Sequence, residues 1–414
     1  MSLAPHDKYS AFRHKSYQRY FGARLLSAFG IQVLSVAVAW QIYDETQSAL
    51  LLGLIGLVQF IPALLLVLVT GLASDKLGRR MVMGLSVLVQ MFCALSIFYL
   101  AITRQFHPIW VLSFLTLFGV SRAFYSPAAS SLVVNLVPRE DFTNAVGWNT
   151  SAWQLASIVG PAVGGLLYGI SGAFAYATAS VMLAVGAVMI FSIPKPVQHV
   201  KKEPRNLVML LGGFRYIWRQ KIVLGAISLD LFAVLLGGAV ALLPIYARDI
   251  LDLGPAGLGF LRAAPGVGAI LVILYLNSFP IKDHAGKILL ISVAMFGLMT
   301  AIFGMSKLAW VSIAALIMVG GFDMISVYIR EVLLQLWTPD HLRGRVNAVN
   351  SIFLGASNEL GEFRAGFMAA FYGAVFTVAS GGVAAIGIAA LWARLFPSLY
   401  QARSLEEGPK FSTS

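Results

Sequence analysis

Ten ionisable side chains interrupt apolar runs long enough to cross a bilayer: Arg24, Arg122, Arg262, Arg330 and Arg364 on one side of the ledger, Asp230, Asp323, Glu331, Glu359 and Glu362 on the other. A charge at bilayer depth costs at least about 2.5–3.5 kcal/mol on insertion scales, so each implies a partner or a water-filled cavity. The equal numbers fit static salt bridges that hold helices together. They also fit moving chemistry, in which carboxylates take up and release protons beside arginines. Glu359 and Glu362 are three residues apart and share a helix face. Two carboxylates in a medium of low dielectric resist double ionisation, which suits reversible proton binding. Asp230 lies about 13 Å into its helix from Lys221, and Arg330 and Glu331 lie about 10 Å from the helix end at Leu336. The latter two read as gate or loop-anchoring charges. Asp323 sits two turns deeper on the face of Arg330 and is expected to pair with it. The first apolar run contains Arg24 and Gln32 but no acid, so any proton-carrying carboxylate comes from Asp230, Asp323, Glu359 or Glu362.

Other chemistries have no residues to support them. No Gly-x-Ser-x-Gly elbow, phosphate-binding glycine loop or His/Cys metal spacing occurs, and the six histidines fall in loops or tails. The expectation is no enzyme, no cofactor and no metal. The single Cys93 lies within an apolar run, which leaves no disulfide framework.

These charges must be positioned by membrane helices. Hydrophobic residues make up 58% of 414 and charged residues 12%, against about a quarter charged in soluble domains. Twelve spans are expected, at about 17–43, 48–70, 81–102, 108–134, 143–170, 173–192, 221–247, 257–279, 287–305, 309–336, 344–371 and 374–396. The net charge of +12 could suggest nucleic acid, but 22 of the 30 lysines and arginines fall on one side of this topology. That asymmetry places both termini in the cytoplasm and removes the need for a nucleic-acid partner. No cleavable signal is expected, because the first apolar run is too long for one.

The expected organisation is a bundle over 1–192, a linker over 193–220, a second bundle over 221–396 and a tail over 397–414. Within the linker, Leu207, Leu210, Leu211, Phe214, Ile217 and Trp218 form one apolar stripe, which predicts an amphipathic helix in the membrane interface. The two halves echo each other at an offset of 201 residues: Pro138 with Pro339, Asn149 with Asn350, Gly160 with Gly361, and Arg122 opposite Asp323. Such a repeat predicts an all-α membrane protein of twelve transmembrane helices in two six-helix pseudo-symmetric bundles, with a site near the midplane.

Between the second and third runs lies Gly71-Leu72-Ala73-Ser74-Asp75-Lys76-Leu77-Gly78-Arg79-Arg80, a tight charged turn in which Asp75 could pair with Arg79 or Arg80 across neighbouring helices. The pattern resembles the signature between helices 2 and 3 of the major facilitator superfamily. Ala156-x-x-x-Gly160-Pro161-x-x-Gly164-Gly165 resembles the helix-5 motif of its exporting branches, with Ala156 in place of the first glycine. Gly119-x-x-Arg122-Ala123-Phe124 resembles the helix-4 arginine motif of proton-coupled exporters, with Ser126 where that motif has glycine. Ser228–Phe232, Leu243–Asp249, Arg262–Gly266, Arg343–Val346 and Asn358–Phe363 are similar to the enterobactin-exporter-like branch.

That resemblance implies a secondary transporter of the inner membrane, a proton-coupled antiporter that exports a siderophore or other amphipathic small molecule by alternating access. Macrolide-type drugs and lysophospholipids are related cargoes. Its partners would be the substrate, protons and the lipid bilayer, and it would act as a monomer. The proton-coupling set is Glu362, Glu359, Asp230, Asp323 and Arg122. The substrate contacts are Arg24, Gln32, Tyr125, Trp148, Trp153, Phe232, Asn358 and Arg262. The moving parts are Gly71, Asp75, Gly78, Arg79, Arg80, Gly160, Pro161, Gly164, Arg330 and Glu331, with Asp249 at an outer gate. Trp40 and Trp392 fit interface belts instead. Two alternatives remain on the same fold: a metabolite importer or facilitator, and a transport-inactive membrane sensor or scaffold.

Overall fold

Hydrocarbon offers no partner for a backbone N–H or C=O, so an apolar run that crosses it closes its hydrogen bonds internally and becomes a helix. The computed structural model describes residues 7–195, 207–281 and 283–402; inside helices the side chains of residues 67, 68, 71, 72, 74, 75, 207–211, 213, 340 and 341 are not described. The helices are α1 (Lys15–Thr46), α2 (Ala49–Leu77), α3 (Arg79–Ile102), α4 (Pro108–Leu132), α5 (Arg139–Ile170), α6 (Gly172–Phe191), α7 (Leu207–Arg219), α8 (Lys221–Gly237), the single turn α9 (Leu243–Ile245), α10 (Gly254–Ser278), α11 (Ala285–Met305), α12 (Ala309–Leu336), α13 (Asp340–Tyr372), α14 (Ala374–Leu395) and the short α15 (Pro397–Tyr400). Among the described residues, 11 helical segments are long and apolar enough to span a membrane. The twelfth expected span, α13, has the length but carries Arg343, Arg345, Glu359, Glu362 and Arg364 along it.

Two expected spans differ. The second, expected to end at about residue 70 before a tight turn over Gly71–Arg80, continues as helix α2 to Leu77, and Gly78 alone breaks the chain before α3. The run 221–247 is not a single helix: α8 stops at Gly237, a 3-10 turn follows at Val240–Leu242, and the segment ends in a π-helical turn at Tyr246–Ile250. Gly237 and Gly238 add no helix propensity, and Pro244 has no N–H and crowds the carbonyl four residues back. The π turn is closed by Leu251 N–H donating to the Tyr246 carbonyl at 2.8 Å.

Compactness divides the chain into Met1–Gln41 with Ile61–Arg205, and Ile42–Phe60 with Asn206–Ser414. The division therefore runs through α1 and α2 as well as the linker. In the first unit, α5 lies against α1: a Cβ on Gly160 would stand 2.7 Å from Gln32 Cβ, and one on Gly164 2.9 Å from Val33 Cα. Small residues let these backbones approach, which is the main source of helix attraction where lipid is as apolar as leucine. Tyr17 and Tyr20 add buried bonds to the carbonyls of Ala145 and Ala129, at 2.9 and 2.8 Å.

In the second unit the same device packs α10 on α12, where a Cβ on Gly320 would fall 1.9 Å from the Pro265 carbonyl oxygen. It also packs α11 on α14 through Gly297 and Gly382. The linker helix α7 forms as expected, but its described stripe faces protein as well as solvent. Ile217 is buried among Val223, Ile227, Leu334, Val346 and Val349. Tyr216 donates to the Trp337 carbonyl at 2.6 Å, and burial raises its phenol above the usual range. Phe214 and Trp218 stay exposed. Leu207, Leu210 and Leu211 lie outside the described side chains.

Candidate functional site

Two clusters of intramembrane charge form within the second unit. In one, Arg330 of α12 makes an ion pair with Asp230 of α8, and both side chains are almost wholly buried, at 2% and 7% exposure. Asp323 feels the charges of both. The expected Asp323–Arg330 pair is thus corrected: Arg330 binds Asp230. Seven residues along a helix amount to about 10 Å of rise, so the arginine reaches the facing helix more easily than two turns up its own. Glu331, expected at a gate, accepts from Asn350 Nδ2 at 3.2 Å and ties α12 to α13.

In the other cluster, Glu359 and Glu362 of α13 converge as their spacing predicts, and Arg262 of α10 lies within reach of both charges. The two carboxylates of α13 meet against another helix. A Cβ on Gly56 of α2 would stand 2.6 Å from Glu359 Oε2 and 3.0 Å from Glu362 Oε2. Arg262, expected as a substrate contact, is within electrostatic reach of the carboxylate pair. Gly56 was missed: Gly53-x-x-Gly56 reads in sequence as ordinary close packing. Arg364 Nη1 donates to Met368 Sδ at 3.4 Å, and its buried Nε has no hydrogen-bond partner among the described residues. Asn358 Nδ2 donates to the Leu354 carbonyl at 2.8 Å, and Phe232 packs on Trp392 with ring centres 5.4 Å apart.

Asp249 also finds a partner in this unit. Tyr43, at the end of α1, donates to its carboxylate, and Arg248 pairs with Asp44 at 3.1 Å. Neither Tyr43 nor Asp44 was legible as a contact.

The first unit gathers Arg24 with phenols. Its Nη1 lies 3.2 Å from the Tyr20 hydroxyl, and Tyr125 and Tyr17 are within electrostatic reach. Arg122 is exposed on α4, Gln32 is taken up by the Gly160 contact, and Trp153 is 46% exposed. Trp148 is occupied by the chain itself. Tyr9 stacks on it at 5.5 Å, Phe12 meets it edge-on at 5.3 Å, and its Nε1 donates to the Lys8 carbonyl at 3.0 Å. A cleft of about 480 Å³ between α3 and α4, lined by Phe92, Tyr99, Trp110 and Phe114, lies away from these charges.

The turn before α3 needs its glycine, because Gly78 has φ of 90°. Its arginines fasten helix ends. Arg79 donates to the Ser131 carbonyl at 2.9 Å and to Asn135 Oδ1 at 2.7 Å, and Arg80 to the Ile193 carbonyl at 2.6 Å. Cations suit these positions, since the last carbonyls of a helix carry partial negative charge. Gly71 and Asp75 lie in the last turns of α2, and the surroundings of the Asp75 side chain are not described. Gly160, Pro161 and Gly164 are all buried in α5.

The sequence model of the family described as "Transmembrane secretion effector" matches residues 6–409. The chain belongs to that family. It is a transmembrane secretion effector of the major facilitator superfamily, and of its enterobactin-exporter-like branch: a membrane transporter and not an enzyme. An enterobactin exporter, EntS, of Shigella boydii serotype 4 (strain Sb227) is 25% identical over 402 residues, covering 96% of this chain and 94% of that protein. The enterobactin exporter EntS of Escherichia coli (strain SMS-3-5 / SECEC) is 24% identical over 407 residues, covering 97% and 96%. Among solved structures, a bacterial homologue of the lysosomal transporter Spinster, inward-facing and occupied, superposes with a TM-score of 0.70 at 12% identity, covering 96% of this chain and 97% of that one. A D-xylose–proton symporter gives 0.67 at 14%, covering 93% and 98%. These establish the twelve-helix, two-bundle fold of this transmembrane secretion effector, and nothing further.

Proposed function

We propose that the protein exports a siderophore-type or other amphipathic small molecule across the inner membrane in exchange for protons, by alternating access. The observation that carries the coupling is the convergence of Glu359 and Glu362 beside Arg262. Two carboxylates and one guanidinium leave one negative charge to neutralise in a low-dielectric setting, and a single proton does so. Asp230, paired with Arg330, holds α8 to α12. Asp323 and Arg122 complete the proposed proton-coupling set.

The named exporters among the relatives support cargo of catechol-siderophore type. The phenols and guanidinium around Arg24 and Tyr125 are suited to a flat, hydrogen-bonding aromatic group. Trp148 has no part in this, being held by the N-terminal segment. Both termini lie in the cytoplasm, and the monomer is the working unit.

The test uses purified protein in vesicles with an imposed pH gradient. Wild-type protein accumulates a fluorescent or radiolabelled catecholate in response to the gradient. The Glu359→Gln/Glu362→Gln variant binds and exchanges the same ligand but does not accumulate it. Gradient-driven accumulation in that variant moves the proton to another carboxylate, and a wild type indifferent to the gradient ends the antiport reading.

A further inference from the structure

The wall that holds the carboxylate pair together has no side chain. Gly56 presents bare backbone to Glu359 Oε2 and Glu362 Oε2, and any Cβ there would force one of them to move. One turn earlier, a Cβ on Gly53 would lie 3.0 Å from both Gly366 Cα and the Phe363 carbonyl oxygen, and one on Gly366 2.6 Å from the Ala49 oxygen. One turn later, the Phe60 ring lies 3.6 Å from the position of a Gly355 Cβ. Three successive turns of α2 thus lie along α13, with the acids under the middle one.

This strip of α2 contains no titratable group between Ala49 and Phe60. At Gly56 it meets the acids with backbone alone, and its one polar side chain, Gln59, donates to the Ile55 carbonyl at 3.1 Å. The charged groups of the surrounding elements include Arg262 on α10, Asp230 on α8, Asp323, Arg330 and Glu331 on α12, and Arg364 on α13 itself. The compact division of the chain crosses α2 between Phe60 and Ile61, and Pro62 follows at once. Proline removes the hydrogen bond to the carbonyl four residues back, so the helix is easiest to bend where its two portions part company.

We infer that the Ala49–Phe60 portion of α2 is the lid of the proton-binding pair, and that Gly56 is the positioning residue that sets how closely the two carboxylates are held. This rests on the reading of Glu359 and Glu362 as the proton site. Seated, the lid presses the acids together beside Arg262. Withdrawn by bending at Pro62, it lets water and protons reach them. The proton site and the moving helix are then one device.

The experiment measures the pH profile of transport for Gly56→Ala, Gly53→Ala and Gly56→Ala/Glu359→Asp at equal folded abundance. Gly56→Ala should move the midpoint by about one pH unit, because it repositions an acid among charges. Shortening Glu359 by one methylene, about 1.5 Å, should restore the wild-type midpoint. Gly53→Ala meets backbone and should lower Tm without rescue by the same change. A wild-type profile in Gly56→Ala, or a shift that Glu359→Asp leaves untouched, overturns the lid. Should Gly56→Ala fail to fold, hydrogen exchange in peptides covering 49–60 replaces it. After correction for intrinsic rates, protection should depend on pH in the wild type and lose that dependence in Glu359→Gln/Glu362→Gln. Equal dependence in the two proteins overturns the lid as well. Coupled transport surviving in the double Gln variant overturns the underlying reading too. Its loss there, together with an unmoved Gly56→Ala profile, overturns the lid alone.

Discussion

Arg330 and Asp230 are held in a setting where neither charge has water to fall back on. Breaking one side of such a pair leaves the other uncompensated, at a cost of about 3–5 kcal/mol, whereas replacing both with apolar groups of similar volume is often neutral. Asp230→Asn should therefore lower the Tm and the folded yield sharply, and Asp230→Leu/Arg330→Met should recover most of the loss. Scanning fluorimetry in detergent separates the two; a single variant as stable as wild type would contradict the pairing. Residues of this kind are partly legible in sequence. The i, i+3 spacing of Glu359 and Glu362 follows from helix geometry alone. The choice of Asp230 over Asp323 as the partner of Arg330 depends on how α8 packs on α12, which no local pattern encodes. Gly56 was illegible for a different reason: what matters there is the absence of a side chain, and absence looks alike wherever helices cross.

Among elements, α5 offers a comparison within one helix. Gly164 faces Val33 backbone, while Gly147 and Gly169 have nothing within 4 Å of an added Cβ. Gly164→Val should cost about 1–3 kcal/mol by overpacking against an atom that cannot yield. Gly147→Ala and Gly169→Ala should leave the Tm at wild type or slightly above, since alanine favours a helix over glycine by about 1 kcal/mol. Thermal melts of the three variants check this. Most helix boundaries were legible to within a few residues because length and hydropathy set them, but α2 runs on to Leu77 through the polar stretch after Thr70, which the sequence reads as a turn. The seventh span was not legible either, although Gly237-Gly238 and Pro244 were in plain view. A strongly apolar window masks a break that costs little when neighbouring helices can take up the freed backbone groups.

For the whole molecule, the distribution of lysine and arginine sets an expected sidedness that can be read chemically. Cys93, the single cysteine, is fully buried, so engineered thiols report against a silent background. Lys8→Cys and Gln401→Cys should react with an impermeant maleimide only in inside-out vesicles, and Lys307→Cys only in right-side-out ones. Labelling of all three from one side would refute the odd number of crossings, nine from Lys8 to Lys307 and three from Lys307 to Gln401, on which this sidedness rests. The division of the chain into two halves was legible from the 201-residue repeat. The assignment of Ile42–Phe60 to the compact unit of the second half was not, because it depends on contacts far apart in sequence.

That assignment has a consequence for how the protein is made. The glycine face of α2 is synthesised early, but Gly366, against which Gly53 closes, lies roughly three hundred residues later. At about 5–20 residues per second, the ribosome takes about 15–60 s to deliver it. Throughout that interval the nascent helix stands in the membrane with a bare backbone groove and only lipid or an insertion factor to fill it. Loss of α13 by premature termination would leave the groove permanently open, a feature by which membrane quality control could recognise the unfinished chain.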